Sequence, residues 1–114
     1  MKRVLVTGGT GFLGSYLVKS LLERGAESVV VPTTNIKQKK SIDLLEVDSA
    51  NLSIISGDIR DFDFLQRLFN EYEFDAVFHL GALSEVRKCQ ANAKLAYDTN
   101  IGGTVNLLEV IRLY

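Results

Sequence analysis

Tryptophan is absent from this chain of 114 residues, and cysteine, proline, methionine and histidine occur once each. A lone cysteine, Cys89, closes no intrachain disulfide and builds no cysteine-based metal site, which excludes a disulfide scaffold and a zinc module. Such usage fits a reducing compartment, so a cytoplasmic setting is expected. An excess of charge is missing as well: 13 basic against 14 acidic side chains leave a net charge of −1. That balance gives no electrostatic footprint for nucleic acid or for an anionic membrane, and neither is expected as a partner. No apolar run reaches the roughly 18 residues of a membrane span. The opening Met1-Lys2-Arg3 starts like a secretory leader but meets glycine at position 8, long before an apolar region of the needed length. Internal repeats, low-complexity tracts and linkers are also lacking.

What is present is an ordinary globular composition, 46% hydrophobic and 24% charged. By length it is one domain, able to bury roughly two-thirds of its unfolded surface. The most informative stretch is Val4-Leu5-Val6-Thr7-Gly8-Gly9-Thr10-Gly11-Phe12-Leu13-Gly14, where a β-branched apolar run breaks into glycines and then into an apolar periodic segment. It reads as strand, tight turn, helix. Glycines at 8, 11 and 14 give G-x-x-G-x-x-G, a variant of the dinucleotide-binding fingerprint. Gly8 turns the chain off the strand, Gly11 keeps a Cβ out of the way of a pyrophosphate, and Gly14 lets the helix pack close. The unpaired N–H groups of the first helical turn then favour an anion.

In order along the chain, the pattern predicts a strand over residues 3–7 and a helix over 12–24 with Leu13, Leu17 and Leu21 at four-residue spacing, stopped by Gly25. A second strand over 28–31 is expected to end at Pro32, which cannot donate to a ladder. Residues 33–50 read as a polar loop with a short helix. A third strand covers 52–56, a helix capped by Asp61 carries Phe64, Leu65, Leu68 and Phe69, and a fourth strand covers 75–80. The remainder reads as a turn near residues 89–94 and a long helix ending at Leu113, with Ile101, Val105, Leu108 and Ile111 at helical spacing. Alternating strands and helices imply a doubly wound α/β parallel sheet of order 3-2-1-4, with a ligand at the carboxyl ends of the strands. Later strands of such a sheet are absent, so the chain reads as the first part of a larger domain.

Four blocks then resemble one family in order and over nearly the whole chain: Thr7–Gly14, Gly57-Asp58-Ile59-Arg60-Asp61, Val77-Phe78-His79-Leu80-Gly81-Ala82, and Asn100-Ile101-Gly102-Gly103-Thr104-Val105-Asn106-Leu107-Leu108-Glu109. The chain resembles the NAD-dependent epimerase/dehydratase group of the extended short-chain dehydrogenase/reductases, enzymes of Rossmann type that act on nucleotide sugars. The resemblance implies that Gly8, Thr10, Gly11, Phe12, Leu13 and Gly14 hold the pyrophosphate, and that Asp58 and Ile59 lie against the adenine. It further implies that Leu80, Gly81 and Ala82 pass under the nicotinamide ribose, that Ser84 and Val86 border nicotinamide and sugar, and that Asn100 helps position the site. His79, the sole histidine, is expected to be a packed, hydrogen-bonded residue and not an acid or base. In the family the region after the fourth strand contributes to subunit pairing, so a homo-oligomer or self-association is expected.

Two departures from the family pattern matter. At the end of the second strand, where an acid should meet the ribose hydroxyls of NAD, stands Pro32-Thr33-Thr34-Asn35. Threonine and Asn35 can still bond a ribose, but nothing there repels a 2′-phosphate, so NAD is expected with NADP left open. The second departure is catalytic: none of Tyr16, Tyr72, Tyr97 and Tyr114 has a lysine four residues on. The family uses a Tyr-x-x-x-Lys pair, whose lysine lowers the tyrosine pKa for acid–base work during hydride transfer. The resemblance places that pair, with most of the sugar-binding half, beyond residue 114. The leading expectation is therefore the N-terminal, cofactor-binding part of an enzyme that oxidises a nucleotide sugar at C4. A non-enzymatic NAD(P)-binding sensor and a small interaction domain with a vestigial glycine loop are the alternatives.

Overall fold

The computed structural model describes residues 2–83 and 85–114. Four parallel strands, β1 (Arg3–Thr7), β2 (Ser28–Thr33), β3 (Leu52–Ser56) and β4 (Ala76–His79), form one sheet in the order β3-β2-β1-β4. Both faces are covered. Because alternate residues of a strand face opposite sides, Val4, Val6, Val29 and Val31 pack with Val18 and Leu21 of α1 (Phe12–Glu23) and Ile42 of α2 (Lys40–Leu44). On the other face Leu5 and Val30 meet Phe64, Leu65, Leu68 and Phe69 of α3 (Phe62–Glu71) and Leu107 and Val110 of α6 (Gly103–Leu113). The unbroken apolar runs of β1 and β2 are thus those of central strands buried on both sides.

Several boundaries differ from the sequence expectation for local reasons. Pro32 does not end β2 but lies within it, buried, opposite Ile55 of β3. Ser28 N–H reaches Lys2 O while Val29 N–H reaches Asn51 O, so even-numbered residues of β2 turn their backbone toward β1. The registered β1–β2 pairs stop at Leu5↔Val30. The nitrogen of Pro32 therefore faces a place where no ladder bond is asked of it. In α1 the buried face is Gly14, Ser15, Val18 and Leu21, whereas Leu13 is exposed.

Residues 89–94, expected as a turn, belong to two short helices, α4 (Val86–Ala91) and α5 (Ala93–Tyr97). They are separated by Asn92, whose side chain caps α5 by accepting from Leu95 N–H at 3.0 Å. From α5 the helix runs on through a π-helical turn, Asp98–Gly102, into α6. The N-terminus of α3 is as expected, with the Asp61 carboxylate accepting from Phe64 N–H at 3.2 Å.

Candidate functional site

The glycine turn is built by two constraints. Gly8 has φ +72°, and a Cβ there would stand 2.7 Å from the carbonyl carbon of Leu80 and 2.8 Å from Gly81 N. The turn closes with Gly11 N–H donating to Gly8 O at 3.1 Å, and α1 begins with Ser15 N–H donating to Gly11 O at 2.9 Å. A Cβ on Gly14 would fall on the Gly8 carbonyl, so the close packing expected of Gly14 is against the turn at the end of β1. Gly11 differs: a Cβ there would meet only Gly8 O, at 3.3 Å. Gly11 is also the N-cap of α1, with no side-chain cap and no acid in the first turn. The N–H groups of Phe12, Leu13 and Gly14 therefore have neither an intrahelical acceptor nor a competing carboxylate, the condition for holding an anion.

Beside that turn lies a cleft of ≈ 380 Å³ at the carboxyl ends of the strands. It opens between β1 and β4, where the direction in which successive strands are added reverses, the switch point of a doubly wound sheet. Thr7, Gly8 and Thr10 line it from the end of β1 and the glycine turn, Thr33 and Thr34 from the end of β2 and just beyond, Asp58, Ile59 and Arg60 from the turn after β3, and Gly81, Ala82 and Leu83 from the segment after β4. Leu95 and Thr99 close it from the long helix.

The turn after β3 is organised by a pair not anticipated from sequence. Asp58 accepts through Oδ1 from Arg60 N–H at 2.9 Å and through Oδ2 from Arg60 Nε and Nη2 at 2.9 and 2.5 Å. The Arg60 guanidinium holds the Asp58 carboxyl below its usual range. The Asp-x-Arg spacing was the available signal, since a two-residue separation in a turn brings both groups together. Asn106 of α6 fixes the same turn, donating to Ile59 O at 3.0 Å and Arg60 O at 3.1 Å.

At the end of β2, Asn35 N–H donates to Thr33 Oγ1 and the Asn35 side-chain oxygen accepts from Lys37 N–H, both at 3.2 Å. Asn35 is thereby engaged in its own turn, and the cleft wall here is Thr33 and Thr34.

After β4, Leu80 N–H donates to Thr7 O at 3.1 Å, which holds Leu80 beside the cleft without making it a wall. Leu83 is gripped by the amide of Asn100, which accepts from Leu83 N–H at 2.7 Å and donates to Leu83 O at 2.9 Å. That amide sits in the π-helical turn, a local irregularity of the kind found at functional sites. Cys89 is free, and its thiol donates to the same Leu83 carbonyl at 3.2 Å. Ser84 lies outside the described residues. His79, under the cleft floor, is hydrogen-bonded to Thr7 and Thr104, and burial lowers its pKa from 6.5. Among the described residues no group of His, Cys, Asp and Glu could hold a metal ion, and no helix is long and apolar enough to cross a membrane.

The family model for GDP-mannose 4,6 dehydratase matches residues 5–114. The chain belongs to the NAD-dependent epimerase/dehydratase family. Among relatives of this epimerase/dehydratase chain, UDP-glucose 4-epimerase 2 of Arabidopsis thaliana is 40% identical over 117 residues, covering 99% of the chain and 33% of the relative. The UDP-glucose 4-epimerase of Thermus thermophilus, solved in complex with NAD, superposes with a TM-score of 0.83 at 36% identity, over 98% of this chain and 34% of that one. A dTDP-glucose 4,6-dehydratase from Streptomyces venezuelae, solved with NAD, gives 0.81 at 34% identity, over 95% and 35%. The chain thus spans about a third of the length of these relatives.

Proposed function

We propose that the chain is the NAD-binding, N-terminal portion of a nucleotide-sugar epimerase or dehydratase that oxidises its sugar at C4. The observation that carries this reading is the cleft at the switch point, bordered by a helix N-terminus free of side-chain caps and acids. Phe12, Leu13 and Gly14 would offer their N–H groups to the pyrophosphate, with Gly8, Thr10 and Gly11 shaping the turn around it. Asp58, ionised and held still by Arg60, would accept from the adenine amino group, and Ile59 would give the ring an apolar face. Thr33 and Thr34 would serve the adenosine ribose; Leu80, Gly81 and Ala82 would pass under the other ribose. Ser84 and Asn100 would border and position the nicotinamide end. NAD, when bound, supplies the hydride acceptor for the C4 carbon.

NAD is the preferred cofactor in this reading, supported by the NAD in both solved relatives. Discrimination against NADP should be weak, because Thr33 and Thr34 place no negative charge against a 2′-phosphate. Calorimetry is expected to show both dinucleotides binding, with NADP within about tenfold of NAD, or ~1.4 kcal/mol. Failure of folded protein to bind either would overturn the proposal.

A second reading is a dinucleotide-binding module without turnover; no tyrosine of these 114 residues has a lysine four residues on, and a chain spanning a third of its relatives is compatible with either. The two readings share the binding step and part at catalysis. Purified 114-residue chain is expected to neither epimerise nor dehydrate UDP-, dTDP-, CDP- or GDP-sugars above background. A measurable rate would place catalytic groups within these residues.

A further inference from the structure

His79 stands in a run of hydrogen bonds whose direction follows atom by atom. The Asn100 carbonyl only accepts, so the Thr104 hydroxyl, 2.6 Å away, directs its single proton there. The Thr104 oxygen is left to accept from His79 Nε2 at 2.9 Å, and Nε2 therefore carries the ring proton. Nδ1 of the neutral ring is then bare and accepts from the Thr7 hydroxyl at 2.5 Å. With its proton committed, the Thr7 oxygen receives the N–H of Gly81 at 2.9 Å. Donors run one way, from Gly81 through Thr7, His79 and Thr104 to Asn100, and each proton has one destination. Runs of this kind polarise one another in the same sense.

Both ends of the run matter for the cleft. Thr7 and Gly81 are its walls, and the backbones at Gly8 and Leu80–Gly81 approach too closely to admit a Cβ between them. Asn100, at the other end, grips Leu83 through its side chain.

We propose that His79 is a positioning residue: fixed as the neutral Nε2–H tautomer, it accepts from the Thr7 hydroxyl, leaves the Thr7 oxygen to accept from Gly81 N–H, and keeps the glycine turn and residues 80–82 at the spacing a dinucleotide requires. The effect on binding rests on the cofactor reading above, while the tautomer and its bonds do not. An imidazolium would bring a second donor against Thr7, which already receives Gly81 N–H, and would strand the hydroxyl proton. Burial opposes the imidazolium in the same direction, and no charged group on β1, the glycine turn or the long helix enters that shift. The partners facing the ring from those elements are the two hydroxyls. Asp98, the acid on the π-helical turn, is paired with Lys94.

The chain has one histidine, so a long-range nitrogen–proton NMR spectrum of the imidazole needs no assignment. A protonated Nε2 and a bare Nδ1 near neutral pH, titrating below 6.5, are expected; an Nδ1–H tautomer, or a pKa at or above that value, would overturn the proposal.

The second arm is NAD titration of three variants. His79→Asn places an amide oxygen near the position of Nδ1, where it can accept from Thr7. His79→Gln reaches toward Thr104, and His79→Leu fills space only. Positioning predicts Asn within about threefold of the unmutated chain and Gln and Leu weaker by about tenfold or more. Were His79 only packing, Gln and Leu, closer to it in volume, would do as well as Asn, and that ranking would sink the proposal. If the unmutated chain binds no dinucleotide, the cofactor reading fails, and the tautomer measured in the ligand-free protein still decides whether His79 is held as described. A variant that does not fold leaves the spectrum and titration of the unmutated protein to decide in the same way.

Discussion

Two glycines three residues apart separate folding from binding at the scale of single residues. A Cβ on Gly11 meets little protein, whereas one on Gly14 falls on the Gly8 carbonyl. Gly11→Val should therefore cost only about 1 kcal/mol, from the cap position, less than Gly14→Ala, while abolishing dinucleotide binding, because its side chain would take the pyrophosphate's place. Gly14→Ala should lose about 1–3 kcal/mol of stability by forcing the turn open, seen as an earlier urea transition with or without ligand. Equal NAD affinity in Gly11→Val would remove the glycine turn from the binding mechanism. His79 adds a pH dependence whose sign is fixed. Its folded pKa lies below 6.5, so between the two values the unfolded chain holds a proton that the folded chain does not. The stability from this group is fully present above the unfolded pKa and is lost as pH falls through the folded one. Urea midpoints should decline as pH falls from above the ordinary histidine pKa to below it, and the decline should be smaller in His79→Asn.

Among the elements, the long helix does two jobs that its continuous apolar periodicity conceals. Its α6 part buries Leu107 and Val110 against the sheet, while the π-helical turn before it presents Asn100 to Leu83. Asn100→Ala leaves the N–H and C=O of Leu83 without that partner, and should cost about 1–3 kcal/mol. Faster amide exchange at Leu83 than at β1 amides would locate the loss; unchanged exchange there would mean the clamp is not holding the segment. The cap of α3 is a simpler case. Asp61→Ala should destabilise by about 1 kcal/mol, read as a small fall in Tm without change in NAD affinity.

In the molecule as a whole, the two sheet edges and one helix face are not equally covered. β4 forms an edge of the sheet, half-buried, beside a groove lined by Phe69, Tyr72, Phe74, Val77, Ile111 and Tyr114, with Glu73 and Asp75 at its side. The stripe Ile101, Val105 and Leu108 on the long helix is exposed to 61%, 57% and 62%. An apolar edge strand with no proline or charge of its own, together with an apolar helix stripe, is the pattern that pairs with another chain. We expect the isolated chain to self-associate at tens of micromolar, and Val105→Lys with Leu108→Lys to shift light scattering toward the monomer. Because both side chains are exposed, the substitutions should leave the fold intact, which a lysine on β4 would not. A folded monomer in the unmutated chain at those concentrations would show that the stripe is tolerated in water.

Several features were legible in the sequence alone: strand order, the glycine turn with the uncapped helix start that follows it, the Asp61 cap, and the absence of a carboxylate at the end of β2. The turn and the cap are local consequences of backbone sterics and hydrogen bonding, and strand order followed from the alternation of strands and helices with right-handed crossovers, so no particular distant contact was needed to see them. Which face of α1 and of the long helix is buried was decided by tertiary structure. Leu13 and the Ile101–Leu108 stripe carry helical spacing but no neighbour, and Gly14, Val18, Leu107 and Val110 have one. Tolerance of Pro32 inside β2 also depended on where its neighbour β1 had already turned away. The Asp58–Arg60 pair, the Asn100 grip on Leu83 and the direction of the His79 hydrogen bonds likewise depend on atoms meeting in space. For Asn100 and His79 the partners are separated by 17 to 72 positions in the chain, and no periodicity in a sequence records a meeting at that distance.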